Sequence, residues 1–582
     1  MENLHLFIYL SRISTAKPAD KRVAEFSPKR CVGTRRMYRP SLLGYITLGI
    51  RMTTRGPASE RIHNAEYEID EAFAQNSLAN LPFAQSAWTL LSVAEDHHFK
   101  IAVASPPEAP QAAIYVDGLM NSLTYPLRVC HERSSKGVCQ FKRELVDDHY
   151  ALADEWLDRA EDYAHFCTIF PMFHAKEIDL EIRGNQIVPT DWSAIDMSYE
   201  VYDRFVAKRD PQHEVGLDPN PFQLELRANM RVTGGMYSVR FTQKLMSQIA
   251  AAFTDQLAHR HSLPGNWKFQ YFSLGEYRAV IVCLQSLAYA WFAARQLAAM
   301  DGATAIAYAS SVWTPAKGLL VITIARQTKL PKAVVGHVLR YLTFGEMGIR
   351  TPDIAIQPLV DLTNGQYAVS PFVFTHINAE RNLCVLLNQI PEDRRIYSQL
   401  VDEKEAQARL EVIASLAGLG LEFEHGQLAD TDVDLAIVDR VAKVCLCIEI
   451  KWFIEPAEVR EILARSEELR KGVKQSLKIA TLFAGKDSRL LGLLQIDDSF
   501  DFQTMVGSVN FIGSHRVQHA EVPIAKLWHV ASALRSLGSL GALVDWLRNR
   551  RYLPRKEEDY KISDVSIQSG NWKSRWYGIT YA

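Results

Sequence analysis

The sequence predicts an α/β protein, with a large, mostly helical α+β region leading into a C-terminal core where strands and helices alternate. Three observations predict it. Between His63 and His259 long apolar patterns recur at helical spacing. Between Val433 and Ile450 two short, β-branched apolar runs flank a polar turn, the pattern of a hairpin. The chain has 582 residues, 48% hydrophobic and 23% charged, which is ordinary globular composition with length for two to four domains and a large core.

Residues 1–51 read as a basic extension. Leu4 to Leu10 is apolar but too short to span a bilayer, and Glu2 spoils the charge pattern of a secretory signal. Lys29, Arg30, Arg35, Arg36 and Arg39 follow. Two readings stand: a basic arm that touches nucleic acid, or an untranslated stretch with Met52 as the true start.

Residues 52–300 read as mostly helical, with amphipathic helices expected over His63–Phe73, Asp147–Tyr163 and Tyr237–His259. Short strands are expected at Lys100–Val103 and Ala113–Val116, and turns at the Pro-rich segment after Ala104 and at Arg183-Gly184-Asn185. The apolar run Ala279–Ala294 carries Gln285 and Ser286 and is shorter than the ~20 residues a bilayer needs, so it is expected to be a buried helix and no membrane partner is expected.

Residues 301–398 read as an α+β connecting region. Gly318–Ala325 is strand-like, Lys332–Leu342 is a short helix after Pro331, and Thr351–Phe374 is a hairpin broken at Asn364-Gly365 and Pro371. A boundary is expected between Pro391 and Asp402. Residues 399–545 form the core just described, with later strands expected at Ile479–Phe483, Phe502–Ile512 and Ala520–Ile524 and a helix over Ala525–Ser536, and residues 546–582 a basic and aromatic C-terminal extension. Its mixture of Arg, Lys, Trp and Tyr suits either base stacking and phosphate pairing or plain packing.

Formal net charge is -2, so no whole-chain basic field marks a non-specific polyanion binder, although a local basic groove remains compatible. None of the eight cysteines forms a C-x-x-C pair, and Cys445 and Cys447 sit inside an apolar strand, as expected for reduced thiols in a cytoplasmic protein. Adjacent histidines at Asp96-His97-His98 and His259-Arg260-His261 point different ways and do not make a tetrahedral site by themselves. No nucleotide-binding glycine motif is present in the sequence.

The chemistry gathers between Asp430 and Gln475. Val433–Val438 and Val444–Ile450 are the two expected strands, and Glu449 and Lys451, two apart, leave the same face. Asp434 on the neighbouring strand reaches the same place if the register permits. Two carboxylates and a lysine at the end of a buried hairpin are costly unless paired or bound to metal. Mg²⁺ or Mn²⁺ held by Asp434 and Glu449, with Lys451 orienting or deprotonating water, is the chemistry of phosphodiester hydrolysis.

Asp434 followed by Glu449-Ile450-Lys451 resembles the signature of the PD-(D/E)XK, or restriction-endonuclease-like, nuclease superfamily. Its surroundings resemble the family too. A helix is expected over Glu403–Ala417, another opens at Pro456 with Val459, Ile462, Leu463, Ser466 and Leu469 on one face before Gly472, and Gln475 matches the helical glutamine of many members. The resemblance covers the last third of the chain. No proline precedes Asp434, Asp432 stands two residues earlier as a substitute or helper, and either Glu403 or Glu405 would complete a metal site. It implies a restriction-endonuclease-like mixed-sheet core and a Mg²⁺- or Mn²⁺-dependent endonuclease. Asp434, Glu449, Lys451 and Gln475 would be catalytic, with Asp434 and Glu449 as metal ligands. The partner it implies is nucleic acid, DNA ahead of RNA, in defence against phage or foreign DNA, with a protein partner or homo-oligomer also compatible. The alternative is a nuclease-like scaffold or nucleic-acid-binding protein without catalysis.

Overall fold

A computed structural model describes residues 57–104, 109–134, 141–190, 196–203, 220–233, 236–257, 263–300 and 310–581. The basic extension with Met52, the expected turn after Ala104, and His259-Arg260-His261 lie outside them wholly or in part, as do Cys31 and Cys139.

The first half is helical. Helices α1 (Pro57–Ala74), α2 (Phe83–Phe99), α3 (Ala109–Arg133) and α4 (Asp147–His174) lead to the hairpin β1 (Leu180–Arg183) and β2 (Gln186–Pro189), then to α5 (Ser198–Val201) and α6 (Asn220–Asn229). A second hairpin, β3 (Met230–Thr233) and β4 (Met236–Val239), precedes α7 (Gln243–Leu257) and α8 (Leu274–Met300). The helix expected from Tyr237 thus begins only at Gln243. The expected strand at Lys100–Val103 is a π-helical continuation of α2, and Ala113–Val116 lies inside α3. A run of four residues is too short for its pattern to tell a strand from a helix turn.

Helix α8 outruns its apolar segment and is, by length and composition, able to cross a membrane, yet most of it is buried inside this region, the pattern of a core helix. Next come α9 (Lys317–Thr328), α10 (Lys332–Tyr341), the hairpin β5 (Leu359–Asp361) and β6 (Tyr367–Val369), α11 (Pro371–His376) and α12 (Ala379–Gln389). The strand expected at Gly318–Ala325 is therefore helical: Leu320 and Ile324, one turn apart, are buried while Leu319 and Ile322 are exposed. Pro371 opens a helix rather than breaking a hairpin, with Ser370 as its N-cap.

The C-terminal core follows in the order α13 (Pro391–Ser415), β7 (Glu422–Gln427), β8 (Asp432–Asp439), β9 (Val444–Lys451), α14 (Val459–Ala484), α15 (Ser488–Leu494), β10 (Asp501–Ser508), β11 (Ile524–Lys526), α16 (Leu527–Leu537) and α17 (Leu540–Arg548). Its mixed sheet has the order β11-β10-β9-β8-β7; β7, β8 and β9 are antiparallel neighbours, whereas β10 runs parallel to β9 and β11. Pro391 starts α13, so the span expected to hold a boundary is unbroken helix. Helix α14 begins at Val459 rather than Pro456 and passes Gly472 without stopping, so Ile479–Phe483, expected as a strand, is its last turns.

Side chains alternate across the sheet. Leu435, Ile437, Leu446 and Ile448 face Ala408 and Val412 of α13 and Val530 and Leu534 of α16. Ala436, Val438, Cys445 and Cys447 face Ile479 of α14 and Leu490 and Leu494 of α15. The core takes in Tyr552 and, from the first half, Tyr199 and Tyr202.

The C-terminal extension is a hairpin, β12 (Tyr560–Ser569) and β13 (Trp572–Tyr581), and β13 pairs in parallel with β2. Three of its aromatic residues are spent internally: Tyr560 and Trp576 are buried, and the Trp572 indole N–H donates to Glu68 at 2.9 Å.

Candidate active site

The β8–β9 ladder ends at the Leu435–Ile448 pair, one residue short of Asp434. Beyond it the Ile450 N–H donates at 2.8 Å to Oδ2 of Asp434, so a side chain takes the place of a ladder acceptor. This draws the Asp434 carboxylate towards Glu449 and Lys451, which lie on the same sheet face as Cys445 and Cys447. On the other side of β9, Glu449 and Lys451 are in register with Val506 and Ser508 of β10. The sheet thus brings together three of the four residues singled out by sequence.

Lys451 Nζ pairs with Glu449 Oε1 at 2.8 Å, with side chains 17% and 5% exposed. One ammonium is set against several carboxylates. Burial pushes the Glu449 carboxyl up to about 7, Asp434 adds to the rise, Lys451 opposes it and Asp432 adds a little more. Asp434 is also raised, by burial first and by Asp432, against the pull of the Ile450 N–H, Lys451 and Arg409. Burial alone would lower Lys451, but Glu449, Glu405 and Asp434 outweigh it and hold the ammonium charged.

Helix α14 closes over this cluster, and α13, on the other face of the sheet, reaches it past the end of β9. On α14, Gly472 lets the backbone pass close: a Cβ there would meet Lys451 Cε at 3.4 Å and both Val506 methyls at the same distance. Gln475 lies one turn further on α14, half-buried, and makes no hydrogen bond to Asp434, Glu449 or Lys451. On α13 the structure separates the two glutamates: Glu405 accepts from the Trp452 N–H at 3.3 Å and acts on Lys451, whereas Glu403 is exposed. Asp432 is half-buried, and Asp434, not Asp432, holds the Ile450 amide.

No family model, curated protein or solved structure matches the chain. What can be read of the site therefore rests on its own chemistry. Among the described residues no three His, Cys, Asp or Glu side chains are gathered into a preformed metal cluster. Asp434 and Glu449 nevertheless fit a hard cation, because two crowded carboxylates that hold protons too tightly are relieved by positive charge, and Mg²⁺ needs only one or two of them beside water and phosphate oxygens.

Three further features did not emerge from the sequence. Arg409, one turn after Glu405 on α13, donates from Nη1 to the Asp434 carbonyl at 3.2 Å; its i, i+4 spacing from Glu405 was the only available signal. Trp452 and Ile454, just past Lys451, pack into the core of the helical half. Arg470 of α14 pairs with Glu177, which also accepts from the Ser514 hydroxyl at 2.9 Å, so the helix over the site is clasped from the first half of the chain.

Proposed function

We propose that Asp434, Glu449 and Lys451 form the active centre of a divalent-metal-dependent endonuclease that hydrolyses phosphodiester bonds, in DNA ahead of RNA. The observation that carries this reading is the meeting of Asp434, Glu449 and Lys451 at the carboxyl end of β9. The order of α13, three antiparallel strands, α14 and a parallel β10 supports a restriction-endonuclease-like core.

In this reading Asp434 and Glu449 would hold a Mg²⁺ or Mn²⁺ ion, which would supply positive charge for the phosphate oxygens and for ionising the attacking water. Lys451, fixed by Glu449 and hemmed in by Gly472, orients that water and stays charged beside the scissile phosphate. The Ile450 N–H and Arg409 hold the Asp434 segment in place, and Gln475 supports the site from α14. Exposed Lys474 on the same helix adds positive charge for the nucleic-acid backbone. A role in defence against foreign DNA belongs to this reading as an extension.

Purified protein is incubated with plasmid, linear DNA and RNA in Mg²⁺, Mn²⁺ or EDTA, alongside Glu449→Ala and Lys451→Ala. Metal-dependent cutting lost in both variants supports the reading, and the substrate panel names the polymer. One observation favours a scaffold without catalysis: Lys451 is already paired with Glu449, as in a structural salt bridge. Folded wild type that cuts nothing, with Asp434→Ala leaving its biological effect intact, would favour that reading.

A further inference from the structure

A pocket of about 280 Å³ opens between α13 and α16, walled by Trp528, Val412, Ala408 and Leu527 and rimmed by Glu411 and Arg535. That volume falls just below the ~300–1,000 Å³ usual for ligand sites and suits one flat ring system rather than a duplex. The pocket lies on the α13 face of the sheet but at the same carboxyl end of β9 and β10 as the site. Val509, part of its wall, donates its N–H to the Lys451 carbonyl at 3.1 Å, and α13 reaches the site through Glu405 one turn before Ala408. The pocket is thereby joined through Val509 to the segment that carries Lys451, at the strand carboxyl ends where ligands gather in such sheets.

We propose that this pocket holds one unpaired guanine base of the substrate strand, next to the bond being cut; the choice of ligand rests on the nuclease reading. Half-buried Trp528 offers an aromatic face for stacking. Arg535 is anchored through Nε and Nη2 to the Ser415 carbonyl, while its Nη1 makes no bond among the described residues. Glu411 accepts from Gln407 Nε2 on Oε1 at 3.0 Å, which orients the carboxylate and leaves Oε2 for a ligand. A carboxylate accepts the two N–H groups of the guanine Watson–Crick edge, and a guanidinium donates to O6 and N7 on the opposite edge; adenine and the pyrimidines lack that pairing of edges. The Watson–Crick edge is occupied in a duplex, so the base must come from a single strand or be flipped out.

The test is fluorescence anisotropy of a labelled oligothymidylate carrying one central guanine or one central inosine, which lacks the 2-amino group. It uses Glu449→Ala protein in EDTA, so that nothing is cut. Guanine is expected to bind about tenfold tighter than inosine. Glu411→Gln, an exposed change that leaves the fold intact, should erase that ratio, and Trp528→Ala should weaken both oligonucleotides while Trp528→Phe restores them. Equal affinities, a ratio that survives Glu411→Gln, or wild-type binding by Trp528→Ala would each overturn the proposal. Wild-type cleavage is scored in parallel. Cutting without a guanine ratio removes the pocket and leaves the nuclease, whereas a guanine ratio without cutting does the reverse.

Discussion

Replacing Glu449 by Gln turns the electrostatic cost of the site into a measurable pH slope. The Glu449 carboxyl is displaced from an ordinary value near 4.5 to about 7, and with its side chain only 5% exposed there is little solvent to screen the effect. Below pH 4.5 the group is protonated in folded and unfolded chains alike and contributes nothing. Between 4.5 and 7 the folded state holds a proton that the unfolded state has lost, so stability falls as pH rises, and above 7 the whole penalty is present. At about 1.4 kcal/mol per pH unit the window is worth about 3 kcal/mol. Gln does not titrate, so the wild type is expected to lose about that much stability relative to Glu449→Gln between pH 4.5 and 8. The pairing with Lys451 is already contained in the position of the Glu449 carboxyl, which it pulls down against burial, so it is not counted a second time. The assay is hydrogen exchange of the β9 amides, corrected for intrinsic pH dependence, since a chain of this size need not unfold in two states. At pH 8, Mg²⁺ at a hundred times its dissociation constant should restore about 2.7 kcal/mol to the wild type and nothing to the variant. A difference that does not change with pH, or a wild type that gains stability as pH rises, would refute the account of Glu449.

Glu95→Gln is the matched control: Glu95 is fully buried on α2, burial pushes it up to about 7 against the Ser370 hydroxyl and the Phe372 N–H, and the wild type should lose stability relative to this variant as pH rises, by a difference that Mg²⁺ does not change. Lys451→Ala is expected to lower the cleavage rate by about 10²–10³-fold, as loss of one positioned charge-stabilising donor does, read by single-turnover kinetics with near-ultraviolet dichroism as the fold control. Gly472→Val should cost up to about a hundredfold in rate by displacing Lys451. Valine is no poorer a helix former than glycine, so an unchanged melting curve would mark the loss as positional. Arg470→Ala strands buried Glu177 without its cation and is expected to destabilise the clasp over α14 by about 3 kcal/mol, measured as faster exchange of α14 amides.

The hairpin bearing Asp434, Glu449 and Lys451 was legible because two short apolar runs around a polar turn leave few other solutions, and because strand alternation fixes that Glu449 and Lys451 share a face. The helices on either side were legible from their apolar stripes, although not their ends: Pro391 and Gly472 each read as a boundary, one beginning a helix and the other lying inside one. Short apolar runs at Ala113–Val116, Gly318–Ala325 and Ile479–Phe483 misled in one way. Each is apolar enough for a strand but too short for its period to exclude a helix, and in the structure each lies inside one.

The choice between Glu403 and Glu405 was not legible either, because both lie on the same turn of α13 and only contact with the Trp452 amide separates them. The same holds for Arg409, the Arg470–Glu177 clasp and the C-terminal hairpin paired to β2, all of which join positions far apart in the chain. By itself the sequence determined which residues could do chemistry and which of them share a strand face, since backbone alternation and residue type are local properties. The tertiary structure decided which of those residues meet, how deeply they are buried and therefore how strongly they hold their protons, because burial and the field of distant charges are made only when the whole chain has packed.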